Sequence, residues 1–354
     1  MSAGCGPDAE AVTRGLGFGC HDVSAVVSVR PPWALAHWTM PLLELLVVGG
    51  AVFALVHAVR RYRAGDPVNL ALWWASLVYL FVTEPPLYFP EWFGLDRLYG
   101  FIFAHNRFTV QFMADRLPLY IVAFYPVISQ LAYELVRSLG IFRRGALRSS
   151  VAVAFVCQVF YEVFDQLGPQ LKWWAWNPGN AIVNHPSLAS VPMTSMVLFA
   201  SVSMAAMTYL VVRLAGGPVP RRGWALVPRI LLAGVLTPLA MAVAGIPSGL
   251  AGGNTTAKAW ILGVELVLIW LAGAVVVLRS SRPEPLPAFT RYYPAVYLGG
   301  LLVCWIGALP AYFAAQDGLT PEGTPIGSGL YALACFAVAG LLLLALSRKA
   351  PAAG

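Results

Sequence analysis

The sequence predicts an all-α polytopic integral membrane protein, a helical bundle of about nine transmembrane helices with the N-terminus outside and the C-terminus inside. Three observations predict it. Of 354 residues, 59% are hydrophobic and only 11% are charged, with a mean hydropathy of +0.71, whereas a soluble domain carries about 25% charged residues. Nine apolar segments reach the roughly 20 residues that a helix needs to cross a bilayer. They are Leu42–Val59, Val68–Tyr88, Leu117–Val136, Val151–Leu167, Leu188–Val212, Ala225–Ile246, Ala259–Leu278, Ala295–Ala314 and Gly329–Leu346. Lys and Arg, 23 in all, collect in alternate connections. One side holds the clusters at Arg60–Arg63, Arg137–Arg148, Arg213–Arg222, Arg279–Arg291 and Arg348–Lys349; the other holds Arg14, Arg30, Arg97, Arg107, Arg116, Lys172 and Lys258. The richer side is the inner one by the positive-inside rule. A bacterial cytoplasmic membrane is the expected location. The net charge of +7 is spread over these loops and forms no patch, which argues against nucleic acid as a partner.

Residues 1–40 read as an extracytoplasmic tail with no continuous apolar core, hence no signal peptide. Its Cys5 and Cys20 are close enough to bridge in an oxidising compartment. Cys157, Cys304 and Cys335 lie in apolar segments and read as packing residues, and the absence of a Cys/His ligand cluster argues against a metal. Residues 41–350 form a single transmembrane domain. Only Asp66, Glu134 and Glu284 fall on the inner side. Glu44, Glu84, Glu162, Asp165 and Glu265 lie in the outer halves of segments, and Asp115 stands at the entry of the third. A charge at bilayer depth costs about 2.5–3.5 kcal/mol on insertion scales, so such residues face the protein interior or a wet cavity. Five helices carrying acids towards one region of the outer leaflet are the main functional signal.

The centre of that region is Tyr161–Asn177. Gln158, Glu162 and Asp165 are spaced i, i+4, i+7 and so line one helix face; Gly168-Pro169 then ends the helix. Lys172, Trp173, Trp174 and Trp176 follow, a membrane-interface composition. Two long outer loops share a plan. Each starts at an intramembrane acid (Glu84; Glu162 and Asp165). Each passes through an aromatic stretch ending in Asn (Phe103–Asn106; Trp174–Asn177) and re-enters at a proline (Pro118; Pro192). The plan reads as a parallel repeat over residues 68–140 and 149–213, related by an axis along the membrane normal. Segments six to nine add only Arg229 and Glu265.

These residue types suit acid–base chemistry. Asp165 and Glu162, buried, would hold a proton near neutral pH, with Glu84 as the facing acid and His105 as a relay. Asn106, Asp115, Arg116, Asn177 and Glu265 are candidates to hold a substrate, and Trp174 and Trp176 to wall it in. Each also has a structural reading. The buried acids would glue helices, with Lys172 or Arg116 as partner. Glu84 would be a solvated helix end at Pro85-Pro86, Asp115–Arg116 a local ion pair, Glu134–Arg137 an interfacial pair, and the tryptophans a belt.

The arrangement Glu84-Pro85, Tyr99-Gly100, Asn106 and Arg116-Leu117-Pro118-Leu119-Tyr120 resembles multi-span proteins similar to the avermectin-type spirocyclases. Asp165, Trp174, Trp176 and Val191-Pro192 also resemble membrane carotenoid hydratases. The resemblance covers residues 70–210. It implies spiroketal closure or dehydration in one case, and water addition to an isoprenoid double bond in the other. The expectation is a cofactor-independent membrane enzyme, a cyclase or hydro-lyase, acting on a lipophilic polyketide or isoprenoid intermediate. A proton-coupled transporter or lipid flippase would use the same buried acids as a relay, and a non-catalytic membrane scaffold would use the outer loops for recognition.

Overall fold

A computed structural model describes residues 5–20, 26–29, 31, 33–217, 221–280 and 285–349; Arg30, Arg282 and Glu284 lie outside the described residues. The chain is 69% helical and 6% strand. The helices are α1 (Pro7–Gly15), α2 (Met40–Arg63), α3 (Val68–Tyr88), α4 (Asp96–Tyr99), α5 (Leu119–Ser138), α6 (Ala146–Asp165), α7 (Met204–Ala215), α8 (Val227–Ala244), α9 (Ile246–Leu250), α10 (Thr255–Ser280), α11 (Ala288–Phe313) and α12 (Gly329–Lys349). A π-helical stretch, Ser195–Ser203, leads into α7. Among the described residues nine helices are long and apolar enough to cross a membrane, so the chain is an integral membrane protein with an all-α polytopic fold.

The apolar runs become helices because a chain in lipid must satisfy every backbone N–H and C=O within itself. α5 and α6 form the centre, buried along most of their length. α2 and α3 pack on α5, while α7, α10 and α12 pack on α6; α8 lies outside against α3 and α7. Two boundaries depart from the sequence reading by seven residues. The fifth span starts at Ser195 rather than Leu188, because Leu188 and Val191 pair in a hairpin, and the eighth starts at Ala288 rather than Ala295. α3 keeps its expected bounds, Val68–Tyr88, running through Pro85-Pro86 with its last turn closed by Phe89 N–H on the Pro85 carbonyl at 2.9 Å. A proline's φ is helical, so at a helix end it costs only a bond.

The strands are absent from the sequence reading. They are β1 (Val27–Val29), β2 (Phe103–His105), β3 (Val110–Phe112), β4 (Leu117–Pro118), β5 (Trp174–Trp176), β6 (Ser187–Leu188) and β7 (Val191–Pro192). β1-β3-β4, β2-β5 and β6-β7 form three small antiparallel sheets. All but β1, which lies in the N-terminal segment, occupy the long loops after α3 and α6, whose partly buried backbone needs partners that no helix supplies.

Candidate functional site

The two aromatic loop motifs meet each other. β2 pairs with β5 in the register Phe103↔Trp176, Ala104↔Ala175, His105↔Trp174. Alternation along a strand puts the four rings on one face and the two alanines on the other. The ribbon is clasped at both ends in the same way. Asn106 N–H bonds the Trp173 carbonyl (2.8 Å) and its Nδ2 bonds that of Lys172 (2.7 Å). Asn177 N–H bonds the Ile102 carbonyl (2.8 Å) and its Nδ2 bonds that of Phe101 (2.9 Å). α1 packs on the ribbon from above. Its ends are tied by the Cys5–Cys20 disulfide, and Asn106 Nδ2 also reaches the Leu16 carbonyl at 3.2 Å.

Under the ring face lies a cavity of about 90 Å³. α3 contributes Glu84 and Leu87; α5 contributes Ile121, Phe124 and Tyr125; α6 contributes Tyr161, Phe164 and Asp165; the π-helical stretch contributes Ser195 and Phe199. The roof contributes Ile102, Phe103, His105, Trp174 and Trp176, and the β6–β7 region Val183, Asn184, Pro192 and Thr194. Trp174 stacks on the α6 exit: a Cβ on Gly168 would stand 2.0 Å from its ring, so only glycine lets the indole come so close.

Glu84 and Asp165, 5% and 3% exposed, reach this cavity from different helices. Tyr125 donates its hydroxyl to one oxygen of Glu84, and the other oxygen has no hydrogen-bond partner. Asp165 faces the Ser195 hydroxyl at 3.5 Å, a distance at the weak limit of hydrogen bonding. The Tyr120 hydroxyl donates to the Trp173 carbonyl (3.3 Å). It therefore accepts from His105 Nδ1 at 2.8 Å, a tautomer assigned from the network. Burial pushes the His105 imidazole down to about 3, so it is neutral at physiological pH. Five lining residues bury polar atoms without a partner: Glu84 Oε2, Trp174 Nε1, Trp176 Nε1, Asn184 Oδ1 and Thr194 Oγ1. Most buried polar groups in proteins are paired, so these five atoms leave the cavity wall with unmet hydrogen-bonding capacity.

The other nominated residues lie elsewhere. Gln158, Glu162 and Asp165 share one face of α6, but of the three only Asp165 lines the cavity. Glu162 stands about 60° round the helix from Asp165 and accepts from Gln166 Nε2 at 2.9 Å, while Gln158 Nε2 bonds the Tyr331 hydroxyl of α12 at 3.0 Å. Asn106 and Asn177 are occupied by the ribbon clasp. Asp115 takes Arg107 at 3.0 Å and the Ser28 hydroxyl. Arg116 bonds the Tyr88 carbonyl (2.9 Å) and lies over the Phe89 ring. Asp115 and Arg116 line a second, smaller cavity beneath α1. Lys172 pairs with Glu322 at 3.3 Å, not with the buried acids. Glu265 on α10 is half-buried outside both cavities, with one unpartnered oxygen. Glu134 exceeds the intrahelical pair expected of it. Fully buried, it binds Arg137 through both oxygens (2.8 and 2.9 Å), Asn69 (2.8 Å) and His57 (3.3 Å), joining α2, α3 and α5 at the far end of the bundle.

Tyr125, Tyr161, Asn184, Thr194, Ser195 and Phe199 escaped the sequence reading. Tyr161 precedes Asp165 by one turn and was recoverable by helical spacing. The others reach the cavity only through tertiary packing. No family model matches the chain, and neither a curated protein nor a solved structure matches it.

Proposed function

We propose that the chain is a membrane-embedded enzyme that performs acid–base chemistry on a lipophilic biosynthetic intermediate by cyclisation, hydration or dehydration. The observation that carries this reading is the pairing of two buried carboxylates, Glu84 and Asp165, in one aromatic cavity that also holds five unpartnered polar atoms. Asp165 donates a proton to an alkene, hydroxyl or carbonyl of the substrate. Glu84, oriented by Tyr125, receives one, and neutral His105 offers Nε2 as a hydrogen-bond acceptor to the substrate or a water. The faces of Trp174, Trp176 and Phe103 steady developing positive charge. Pure proton transfer of this kind calls for no cofactor.

The unpartnered atoms also bear on the substrate. Each buried polar group left unpaired costs about 1–3 kcal/mol. A pure hydrocarbon would leave all five unpaired, whereas a chain bearing hydroxyl or carbonyl oxygens would satisfy the two indole N–H groups. An oxygenated polyketide or isoprenoid fits best, in keeping with the spirocyclase and hydratase resemblance. A proton-coupled transporter or lipid flippase is the second reading. The buried Glu134 network at the far end favours it to the extent that a path would need polar groups there.

The test is mass spectrometry of lipid-soluble metabolites from cells carrying wild type, Asp165→Asn, Glu84→Gln or a deletion. The enzyme reading expects the same precursor, differing by water or by one ring closure, in both variants and the deletion. Silent variants beside a deletion phenotype would end it. We further infer that the N-terminus is outside and the C-terminus inside, in a bacterial cytoplasmic membrane, from the Lys/Arg asymmetry. An impermeant maleimide should then label Asn254→Cys on intact cells and Ser347→Cys only after lysis; the opposite pattern reverses the orientation.

A further inference from the structure

A second cavity of about 40 Å³ lies between the disulfide-closed N-terminal segment and the ribbon. Ala9, Thr13 and Phe18 line it from above and Ala104 from the ribbon. Phe103 and His105 line both this cavity and the main one. These two side chains are therefore the partition between the two cavities.

The smaller cavity has room and polar side chains for water. A site for one water needs about 10–15 Å³ and two to four polar partners, so the small cavity has room for about three. Thr13, His105, Arg107, Asp115 and Arg116 are among its walls. The buried Tyr88 side chain, 3% exposed, belongs to the same walls. His105 has its Nδ1 committed to Tyr120, which leaves Nε2 as an acceptor.

We propose that the small cavity is the water chamber of the site, exchanging water with the main cavity past His105 and Phe103 beneath the disulfide-closed cap. The proposal rests on the acid–base reading only for its purpose: hydration consumes one water at the substrate, and dehydration or condensation releases one. Its physical content, a water path through the partition, is independent of turnover.

Hydrogen exchange of the indole N–H groups tests it. In protein labelled with ¹⁵N-tryptophan, the Trp173, Trp174 and Trp176 signals are assigned by single Trp→Phe variants. Trp173 is the internal reference for a dry site, fully buried and bonded to Thr39 at 2.9 Å. Trp174 and Trp176, unpartnered and on the main cavity, should exchange at least about tenfold faster, the scale set by one missing hydrogen bond. Filling the chamber from the cap (Ala9→Phe) or from the ribbon (Ala104→Val) should bring that rate down towards the Trp173 value, while Ala9→Ser should leave it unchanged. Exchange as slow as that of Trp173 in wild type overturns the proposal, because no water arrives. Fast exchange that neither filled variant slows also overturns it, because water then enters by another route. Neither result touches the metabolite experiment, so a failed water path and a failed enzyme reading remain distinguishable.

Discussion

His105 carries its chemistry in its surroundings. The rings of Tyr88, Phe103, Tyr120 and Trp174 stand within 6.0 Å of it, and burial holds its imidazole at about 3 against an ordinary 6.5. The folded state therefore refuses a proton that the unfolded chain accepts below pH 6.5. Its contribution to stability is complete above the unfolded value and is lost as the pH falls towards 3, at about 1.4 kcal/mol per pH unit. Thermal melting in detergent between pH 7 and pH 4 should show wild type losing more stability than His105→Gln; parallel curves would mean that the imidazole is hydrated. His105, Glu84, Asp165, Trp174 and Trp176 were legible in the sequence because charged or aromatic residues beside apolar spans have few uses. Tyr125 and Asn184 were not, because nothing local distinguishes a tyrosine that faces a carboxylate from one that faces a leucine.

At the scale of elements, the roof depends on close approaches more than on strand propensity. β2 and β5 have three residues each, too short to be stable alone. They are held by the Asn106 and Asn177 clasps and by the α1 cap. The same hydrogen bonds recur at the two ends of the ribbon. Gly168 is the fixed point beneath. Gly168→Ala should push Trp174 off its seat, costing about 1–3 kcal/mol as an overpacking defect and shifting the Trp174 indole resonance. A melting temperature and resonance equal to wild type would show that the α6 exit yields instead. The sequence marked Gly168-Pro169 as a helix stop. That the glycine is also a seat for an indole six residues later follows only from the turn that folds the chain back.

Among the described residues, each end of the bundle holds a group of buried polar side chains. The loop end holds the cavity, and the other end holds Glu134 with Arg137, Asn69 and His57. Removing one partner from a buried ion pair costs about 3–5 kcal/mol because it strands the other charge. Glu134→Gln should therefore lower thermal stability by that order while leaving the metabolite profile of the surviving protein as in wild type. A changed profile at unchanged stability would favour a transport path through both ends. Composition, segment length and charge asymmetry by themselves determined the number of spans and the all-α class, since the bilayer leaves a chain so few ways to satisfy its backbone. They also marked the stretch where acids and tryptophans accumulate. Only the tertiary structure decided that Asp165 faces the cavity while Glu162, three residues earlier, turns away. It likewise decided that the two asparagine motifs clasp the ribbon between the loops. Helical phase relative to neighbouring helices, and pairing between loops some 70 residues apart, are set by packing, and packing leaves no periodicity in the chain.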